Sequence, residues 1–343
     1  MAFPAKSEFI ISLALILSTW AWHAMSVRTL HESTTAEQHE QWMAQYGRTY
    51  KDSGEKVKRQ AIFEENLRFI EDSNAARNRT FKMGLNQFSD LTNEEFIRSH
   101  TGYLSSKKPK SPKLTPLSHQ HLTGDVPDGI DWVKKGAVNL IKDQGQCGSC
   151  WAFSAVAAVE GISQITSGKL PVLSEQQLID CDTESYGCDG GLPDNAFKYI
   201  IQNQGIASED TYAYQEKDGT CNRRKAAQHA AQIKHFADVP PGEDELLKAV
   251  VQQPVSVGII SSGQEFQSYS SGIFNGDCSG ELDHAVVVVG YGTSEDGIKF
   301  WKIRNSWGET WGERGYMRIQ RGNGSSKGIC GLASQASYPI ARE

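Results

Sequence analysis

Residues 144–153 read Gln-Gly-Gln-Cys-Gly-Ser-Cys-Trp-Ala-Phe, and they contain two of the seven cysteines in this chain of 343 residues. Once six cysteines have paired, one is left over, and a leftover thiol in a disulfide-forming chain is either incidental or reactive. Cys150 begins an apolar, helical stretch and is followed at a distance by a suitable His and Asn. We therefore identify Cys150 as a candidate nucleophile.

The neighbours of Cys150 suggest how its thiol would be activated. A thiol attacks as the thiolate, so its pKa has to be lowered. If Ser149 caps the helix, Cys150 lies in the first turn, where the helix dipole favours an anion. Among the nine histidines, His284 is the best candidate partner, because it follows Asp283 and opens the predicted strand Ala285–Val289.

Three further polar or aromatic residues suit the same chemistry. Asn305 follows the predicted strand Lys299–Ile303, and its amide can accept from one imidazole nitrogen and turn the other toward sulfur. Trp307 would shield that hydrogen bond from water. The Gln144 amide, together with the backbone N–H of Cys150, can donate to an oxyanion.

Each of these residues also has a structural interpretation. Cys150 alone could be a buried thiol, and Cys147-x-x-Cys150 could be a redox pair or half of a zinc site. No second CxxC or HxxxH completes a zinc set in the sequence. His284 alone could be a solvated histidine and Asn305 a turn residue. Their occurrence together in this order favours catalysis, with no metal or cofactor.

Residues 1–25 are typical of a secretory signal peptide. Lys6 precedes the apolar run Phe9–Leu17, and the small residues Ala24 and Ser26 follow. The run is shorter than the roughly 20 residues that span a bilayer, although an uncleaved anchor or a buried helix is the alternative. A secretory chain also agrees with the cysteine content.

Composition divides the rest of the chain into two domains. Residues 26–125 are polar and helical in pattern, and they end in a Pro-, Ser- and Lys-rich linker at 105–113. All seven cysteines lie beyond Val126, where 19 Lys and Arg stand against 27 Asp and Glu. The net charge of −6 for the whole chain argues against a nucleic-acid partner.

The leading domain carries a helical stripe of mixed character. Its members recur every three or four residues and so share one helix face: Glu55, Arg59, Phe63, Asn66, Ile70 and Asn74. The polar members predict specific contacts. The alternation in Gly84–Asp90 predicts a short strand or turn.

The trailing domain predicts an α+β fold. Helices are expected after Cys150, at Ser174–Asp180 with Ser174 as N-cap and Gln177 completing a capping box, and at Asp194–Ile201. The second half contains β-branched and aromatic runs between Gly-rich turns. A helical half packed on a β half would leave a cleft, which is a common place for an active site.

These motifs resemble those of the papain-like cysteine proteases. The run Gln144–Trp151, Asp283–Ala285 and Asn305–Gly308 match the active-site segments, and the leader stripe with Gly84, Asn86, Phe88 and Asp90 matches the prodomain of the cathepsin L-like branch. Within this branch the chain is most similar to plant senescence-associated vacuolar proteases. The resemblance implies a helical left domain, a β-barrel-like right domain with the cleft between them, and a helical inhibitory prodomain.

The resemblance assigns roles to individual residues. Cys150 is implied as nucleophile, His284 as acid and base, Asn305 as orienting residue and Gln144 as oxyanion donor, with the low thiol pKa of that family. It also implies the disulfides Cys147–Cys188, Cys181–Cys221 and Cys278–Cys330. The implied substrate-binding residues are Gly190, Gly191, Leu192, Pro193, Gly258, Leu282, Asp283, Trp307 and Gln335.

The pocket for the second residue before the cleaved bond has two unusual members. Gln335 stands where relatives often have Met or Ala, and Gly258 would deepen the pocket. We expect a preference for Leu, Phe or Val with added tolerance of polar or long side chains.

The resemblance also implies how the chain is synthesised, processed and located. It would be a secreted zymogen with signal peptide 1–25, prodomain 26–125 and mature enzyme 126–343, cut near Asp125–Val126. We expect an endopeptidase, monomeric and active at acidic pH in the vacuole or lysosome, with an extracellular location as the alternative. Its partners would be protein and peptide substrates, its own prodomain and cystatin-type inhibitors, and we expect no binding to a membrane. Asn78 and Asn323 lie in glycosylation sequons. A silent papain-fold binding or storage protein, or a prodomain-type inhibitor, is the rival interpretation.

Overall fold

The computed structural model describes residues 35–76, 79–107 and 126–341. The predicted signal peptide, Asn78 of the first sequon, most of the linker and Asp125 at the predicted cleavage point lie outside these ranges. The chain forms two compact units, which divide between Phe69 and Ile70.

The first unit is helical. Helix α1 spans residues 35–46, and α2 (Ser53–Ala75) begins in this unit. Phe63 of α2 packs on two rings of α1, with ring centroids 5.1 Å from His39 and 5.4 Å from Trp42. Arg59 Nε donates to Glu55 Oε1 at 2.7 Å one turn away. The predicted stripe of six residues therefore does lie on one helix, and two of its polar members bond each other.

The second unit starts with the rest of the leader. It contains strand β1 (Phe81–Met83), helix α3 (Asn93–His100) and a short 3₁₀ turn at Ser105–Lys107. Asn74 fixes β1 by donating to Met83 O at 2.8 Å and accepting from Met83 N at 3.0 Å. Thr92 and Glu95 form a reciprocal capping box at the start of α3.

Three helices build the helical half of the body. They are α4 (Cys150–Ser167), α5 (Glu175–Cys181) and α6 (Pro193–Gln202). Their shared core contains the fully buried side chains of Trp151, Leu178 and Phe197. Helix α4 ends at Gly168, whose φ of 71° is the left-handed conformation that glycine adopts without a Cβ penalty.

The other half is built on one sheet. Besides β1 it contains β2 (Ile130–Asp131), β5 (Ile233–Val239), β6 (Val255–Ile259), β7 (Tyr269–Phe274), β8 (His284–Thr293), β9 (Lys299–Arg304), β10 (Tyr316–Gln320) and β11 (Ala336–Ala341). Its strands run in the order β1-β7-β10-β9-β8-β6-β11-β5, with β2 attached to β8. All the strand pairs in it are antiparallel except β10 with β7. Strands β3 (Ile206–Ala207) and β4 (His229–Ala231) form a separate two-stranded sheet. The further helices are α7 (Arg223–Ala226), α8 (Glu243–Val250) and α9 (Gln264–Gln267).

Helix α4 packs directly on this sheet, where Ser154 Oγ donates to Val286 O of β8 at 2.8 Å. The start of α4 and the start of β8 thereby lie together, and the predicted α+β class is confirmed. None of the described helices has the length and apolar character needed to cross a membrane.

Disulfides join the pairs Cys147–Cys188, Cys181–Cys221 and Cys278–Cys330. Cys150 is the free cysteine, and it is buried. Because Cys147 pairs with Cys188, the structure does not contain the CxxC redox pair or half zinc site that the sequence left open. Within the described ranges, no group of three or more His, Cys, Asp and Glu side chains could hold a metal ion.

Candidate active site

Cys150 is the first residue of α4, directly after its N-cap Ser149. This position exposes the sulfur to the positive end of the helix dipole. The backbone N–H of Ala285, at the start of β8, also donates to the sulfur. Two elements far apart in sequence therefore meet at one thiol.

His284 and Asn305 form a bonded pair beside Cys150. His284 opens β8 and Asn305 follows β9, and His284 Nε2 lies 2.7 Å from Asn305 Oδ1. With Nε2–H donating to that carbonyl oxygen, Nδ1 is left as the basic nitrogen of the ring. The indole of Trp307 stacks on the imidazole at a centroid distance of 4.4 Å and is fully buried, so the pair is screened from water.

Hydrogen bonds hold the side chain of Gln144 near the start of α4. Its Oε1 accepts from Ser306 Oγ at 2.6 Å, and its Nε2 donates to Cys147 O at 2.9 Å. The same Nε2 lies 3.3 Å from the carbonyl oxygen of His100. An amide N–H that already donates to backbone carbonyl oxygens has the chemistry that an oxyanion donor needs.

Residues 100–104, here named the covering segment, lie over this site. The backbone N–H groups of Gly102 and Tyr103 donate to Asp283 O at 3.0 and 2.9 Å. Leu104 N donates to Gly191 O at 3.1 Å, and Gly191 N donates to Gly102 O at 2.9 Å. The leader thus binds the site through its main chain, as an extended peptide would.

Gly102 and its neighbours approach so closely that side chains would not fit. A Cβ on Gly102 would lie 2.0 Å from Gly148 O, and one on Gly190 would lie 2.7 Å from Gly102 O. Gly190 also has a φ of 113°. Glycine at these positions is therefore required by the contact between leader and body.

Burial changes the ionisation of the site in this structure. Desolvation raises the pKa of the Cys150 thiol to about 12, although backbone N–H groups oppose it. Desolvation also lowers the pKa of His284 to about 4, although the hydrogen bond that His284 donates to Asn305 opposes this shift. Both shifts favour neutral groups, so the low thiol pKa expected from the resemblance does not describe the covered site.

The structure brings most of the expected substrate-binding residues to the covering segment. The side chain of Tyr103 clusters with Leu192, Ala285 and Leu282, and its hydroxyl bonds Gln335. Pro193 begins α6 directly after Leu192 and is buried. Asp283 offers its carbonyl to the covering segment, and its carboxylate accepts from Ser261 N at 2.8 Å.

Sequence reasoning missed His100 and Tyr103. His100 O accepts from both Gln144 Nε2 and Trp307 Nε1 at 3.3 Å, and its ring lies 4.5 Å from that of Phe88. The stretch from His100 to Leu104 has no periodicity, and its only signal is a glycine beside a tyrosine shortly before the linker.

Comparison with known proteins identifies one protease family and its propeptide domain. The family described as "Papain family cysteine protease" matches residues 126–340, and the "Cathepsin propeptide inhibitor domain (I29)" matches residues 39–96. The "Senescence-specific cysteine protease SAG12" of Arabidopsis thaliana is 48% identical over 97% of this chain and 99% of its own length. "Senescence-specific cysteine protease SAG39" of Oryza sativa subsp. japonica is 47% identical over 90% of this chain and 91% of its own.

Solved structures show the same likeness. The recombinant stem bromelain precursor has a TM-score of 0.84 at 42% identity, covering 90% of this chain and 100% of its own. The proform of the ragweed pollen allergen Amb a 11, a cysteine protease, also has a TM-score of 0.84 at 41% identity, covering 91% of this chain and 96% of its own.

Proposed function

The chain belongs to the papain family of cysteine proteases and carries a cathepsin-type propeptide, and from this premise we propose that Cys150, His284, Asn305 and Gln144 form its catalytic site. The observation that carries the proposal is the hydrogen bond of 2.7 Å between His284 and Asn305 beside the free Cys150. The enzyme class is cysteine-type endopeptidase.

The geometry supports an acyl-enzyme mechanism. The Cys150 thiolate attacks the carbonyl carbon of a peptide bond, and the resulting oxyanion accepts from Gln144 Nε2 and the Cys150 backbone N–H. His284 gives its proton to the leaving amine as the C–N bond breaks and a thioester remains. His284 then takes a proton from water, whose oxygen attacks the thioester and releases the carboxylic product and the thiol.

We propose the following processing for the precursor. Residues 1–25 are a signal peptide, 26–125 an inhibitory prodomain and 126–343 the enzyme, with cleavage near Asp125–Val126. The start of the papain-family match at residue 126 supports this boundary. The bonds of the covering segment to Asp283 and Gly191 support inhibition by the leader itself.

The destination and partners follow from the relatives. The senescence-specific names of SAG12 and SAG39 favour protein degradation in the vacuole or lysosome after passage through the secretory pathway. Protein and peptide substrates are the principal partners, cystatin-type inhibitors are further ones, and the enzyme acts as a monomer. Asn323 is exposed, which suits a glycan, and Asn78 is the second proposed site.

The test uses the secreted precursor, shifted from neutral pH to about pH 4.5, where the carboxylates approach their usual pKa. We expect loss of the leader together with cleavage of a Phe-Arg fluorogenic peptide, both blocked by an epoxide thiol-protease inhibitor. The Cys150→Ala precursor should show neither. A precursor that is trimmed yet never cleaves a peptide or labels at Cys150 would instead support the silent binding protein.

A further inference from the structure

We infer that the pocket around Tyr103 selects tyrosine in peptide substrates and that Gln335 recognises the tyrosine hydroxyl. The inference rests on the proposed function, because it concerns the substrates of the same site. It starts from the covering segment, which places one of the chain's own side chains in the pocket.

The covering segment places the side chain of Tyr103 in the pocket, although its main chain runs in the reverse direction to that expected of a substrate. On either side of it the main chain bonds the body at Gly191, and its own N–H donates to Asp283 O. Tyr103 forms a parallel bridge with Gly191. Tyr103 as a residue is only 6% exposed, so its ring is enclosed almost completely.

The walls of the pocket fit an aromatic ring. Leu192, Ala285 and Leu282 pack with Tyr103 in one apolar cluster. Gly258 forms the wall where a side chain would interfere, because a Cβ there would lie 2.7 Å from the Tyr103 ring. The absence of a side chain at 258 therefore provides the width that a ring needs and that a leucine would not fill.

The end of the pocket is polar. The Tyr103 hydroxyl donates to Gln335 Oε1 at 2.7 Å. Gln335 is fixed by its own main chain, since its carbonyl accepts from Gly258 N at 2.9 Å. A buried phenol needs such a partner, and a phenylalanine would leave the amide oxygen without this bond.

These contacts predict an order of preference among substrates. A tyrosine side chain packs on the apolar walls and bonds the Gln335 amide. A phenylalanine side chain packs on the walls but makes no such bond, and a leucine side chain leaves part of the pocket empty. A neutral hydrogen bond contributes about 0.5–1.5 kcal/mol, which corresponds to a preference of roughly 2- to 12-fold for tyrosine over phenylalanine. Sites that bond a substrate hydroxyl discriminate against analogues that lack it.

The experiment uses the mature enzyme and three fluorogenic peptides that differ only in Tyr, Phe or Leu at the second residue before the cleaved bond. We expect kcat/KM to be highest for Tyr. In Gln335→Met the advantage of Tyr over Phe should disappear or reverse, because the hydroxyl would face a thioether. Gln320→Met, on β10 outside the pocket, is the matched control and should keep the advantage.

The outcomes separate this inference from the proposed function. Equal cleavage of the Tyr and Phe peptides by the unaltered enzyme overturns the inference, and so does an advantage that survives Gln335→Met. If none of the three peptides is cleaved and Cys150 is not labelled by an epoxide, the proposed function itself fails.

A second measurement tests the same bond in the full-length precursor. Tyr103→Phe should speed leader removal at acidic pH, because the covering segment loses its bond to Gln335. In a double-mutant cycle, adding Tyr103→Phe to Gln335→Met should produce little further change. Two additive effects would show that the hydroxyl does not act through Gln335.

Discussion

Gln144 shows how one side chain can serve the precursor and the enzyme in turn. Its oxygen is held by Ser306 Oγ, which aims its Nε2 at the space beside Cys150. In the precursor this space holds the carbonyl oxygen of His100. In the proposed mechanism, the same donor faces the carbonyl of a substrate once the leader has gone.

Gln144→Ala should lower kcat of the mature enzyme by about 10²- to 10³-fold, the usual cost of removing one oxyanion donor. KM should change little, because the bond forms mainly in the transition state. Steady-state kinetics on one peptide measure both constants. Gln146→Ala, an exposed neighbour, is the control; a comparable fall in that variant, or a change confined to KM, would contradict the assignment.

Among single residues, the sequence indicated the proposed catalytic residues, which the structure brings together, but not the residues that cover them. Cys150, His284 and Asn305 belong to residue types whose reactivity restricts their roles. His100 and Tyr103 act through a carbonyl oxygen and through shape, and any residue type can present a backbone carbonyl. Their contacts lie with Gln144 and Gln335, and nothing local to His100–Leu104 indicates those partners.

Among the elements, α3 positions the covering segment, because it ends at His100. Its start depends on Thr92, whose Oγ1 accepts from Glu95 N at 3.2 Å while Glu95 Oε2 accepts from Thr92 N at 3.1 Å. An N-cap of this kind contributes about 1 kcal/mol.

Thr92→Ala should therefore destabilise the leader part of the precursor by about 1 kcal/mol and speed its removal at acidic pH. The measurement is the processing rate followed by mass. Thr92→Ser keeps the hydroxyl and should behave like the unaltered chain. The mature enzyme made from the Thr92→Ala precursor should have unchanged kinetics. Altered kinetics would show that the substitution also affects the folding of the enzyme body and not only the stability of the leader.

Gly102→Ala tests the close approach of the covering segment. Its Cβ would meet Gly148 O at 2.0 Å, which neither backbone can accommodate without moving. We expect the precursor to cleave peptides before processing, whereas Ser106→Ala, an exposed residue four positions on, should leave it inactive. A Gly102→Ala precursor that is as inactive as the original would show that other contacts suffice.

Local signals predicted most elements but not those that depend on remote partners. Ser174 caps α5 as expected, accepting from Gln177 N at 3.0 Å. The capping box does not form, because the Gln177 side chain bonds Ala207 N and Tyr199 OH instead. Strand β1 was missed because Phe81–Met83 pairs with residues 269–272, nearly 190 positions away.

In the molecule as a whole, covering the site changes its affinity for protons. Burial lowers the pKa of His284 from 6.5 to about 4 in the covered form. Removal of the covering segment, which includes His100, takes away the part of this shift that the segment causes, so the uncovered imidazole binds a proton at a higher pH than the covered one. The uncovered form is therefore favoured as pH falls between the ordinary value of 6.5 and about 4, and the covered form regains its advantage as pH rises.

In the inactive Cys150→Ala precursor, we expect the leader to be released more readily as pH falls over this range. Adding His284→Asn should make the release depend less strongly on pH. Sensitivity of the leader to an added protease, measured from pH 4 to 7, reports the release. His229→Asn, which alters an exposed histidine, is the control. An unchanged pH dependence in the His284 variant would assign the trigger to other groups.

The seating of Tyr103 against Gln335 also links two properties that evolution could otherwise change separately. One gene encodes both the pocket and the side chain that fills it. A substitution that changes which substrate side chains the pocket prefers also weakens the contact by which Tyr103 holds the leader over the site. The newly made precursor is then less well inhibited during its transport. New specificities are then accessible mainly through paired changes in leader and body, and the leader of each descendant would carry a record of what its enzyme prefers to cut.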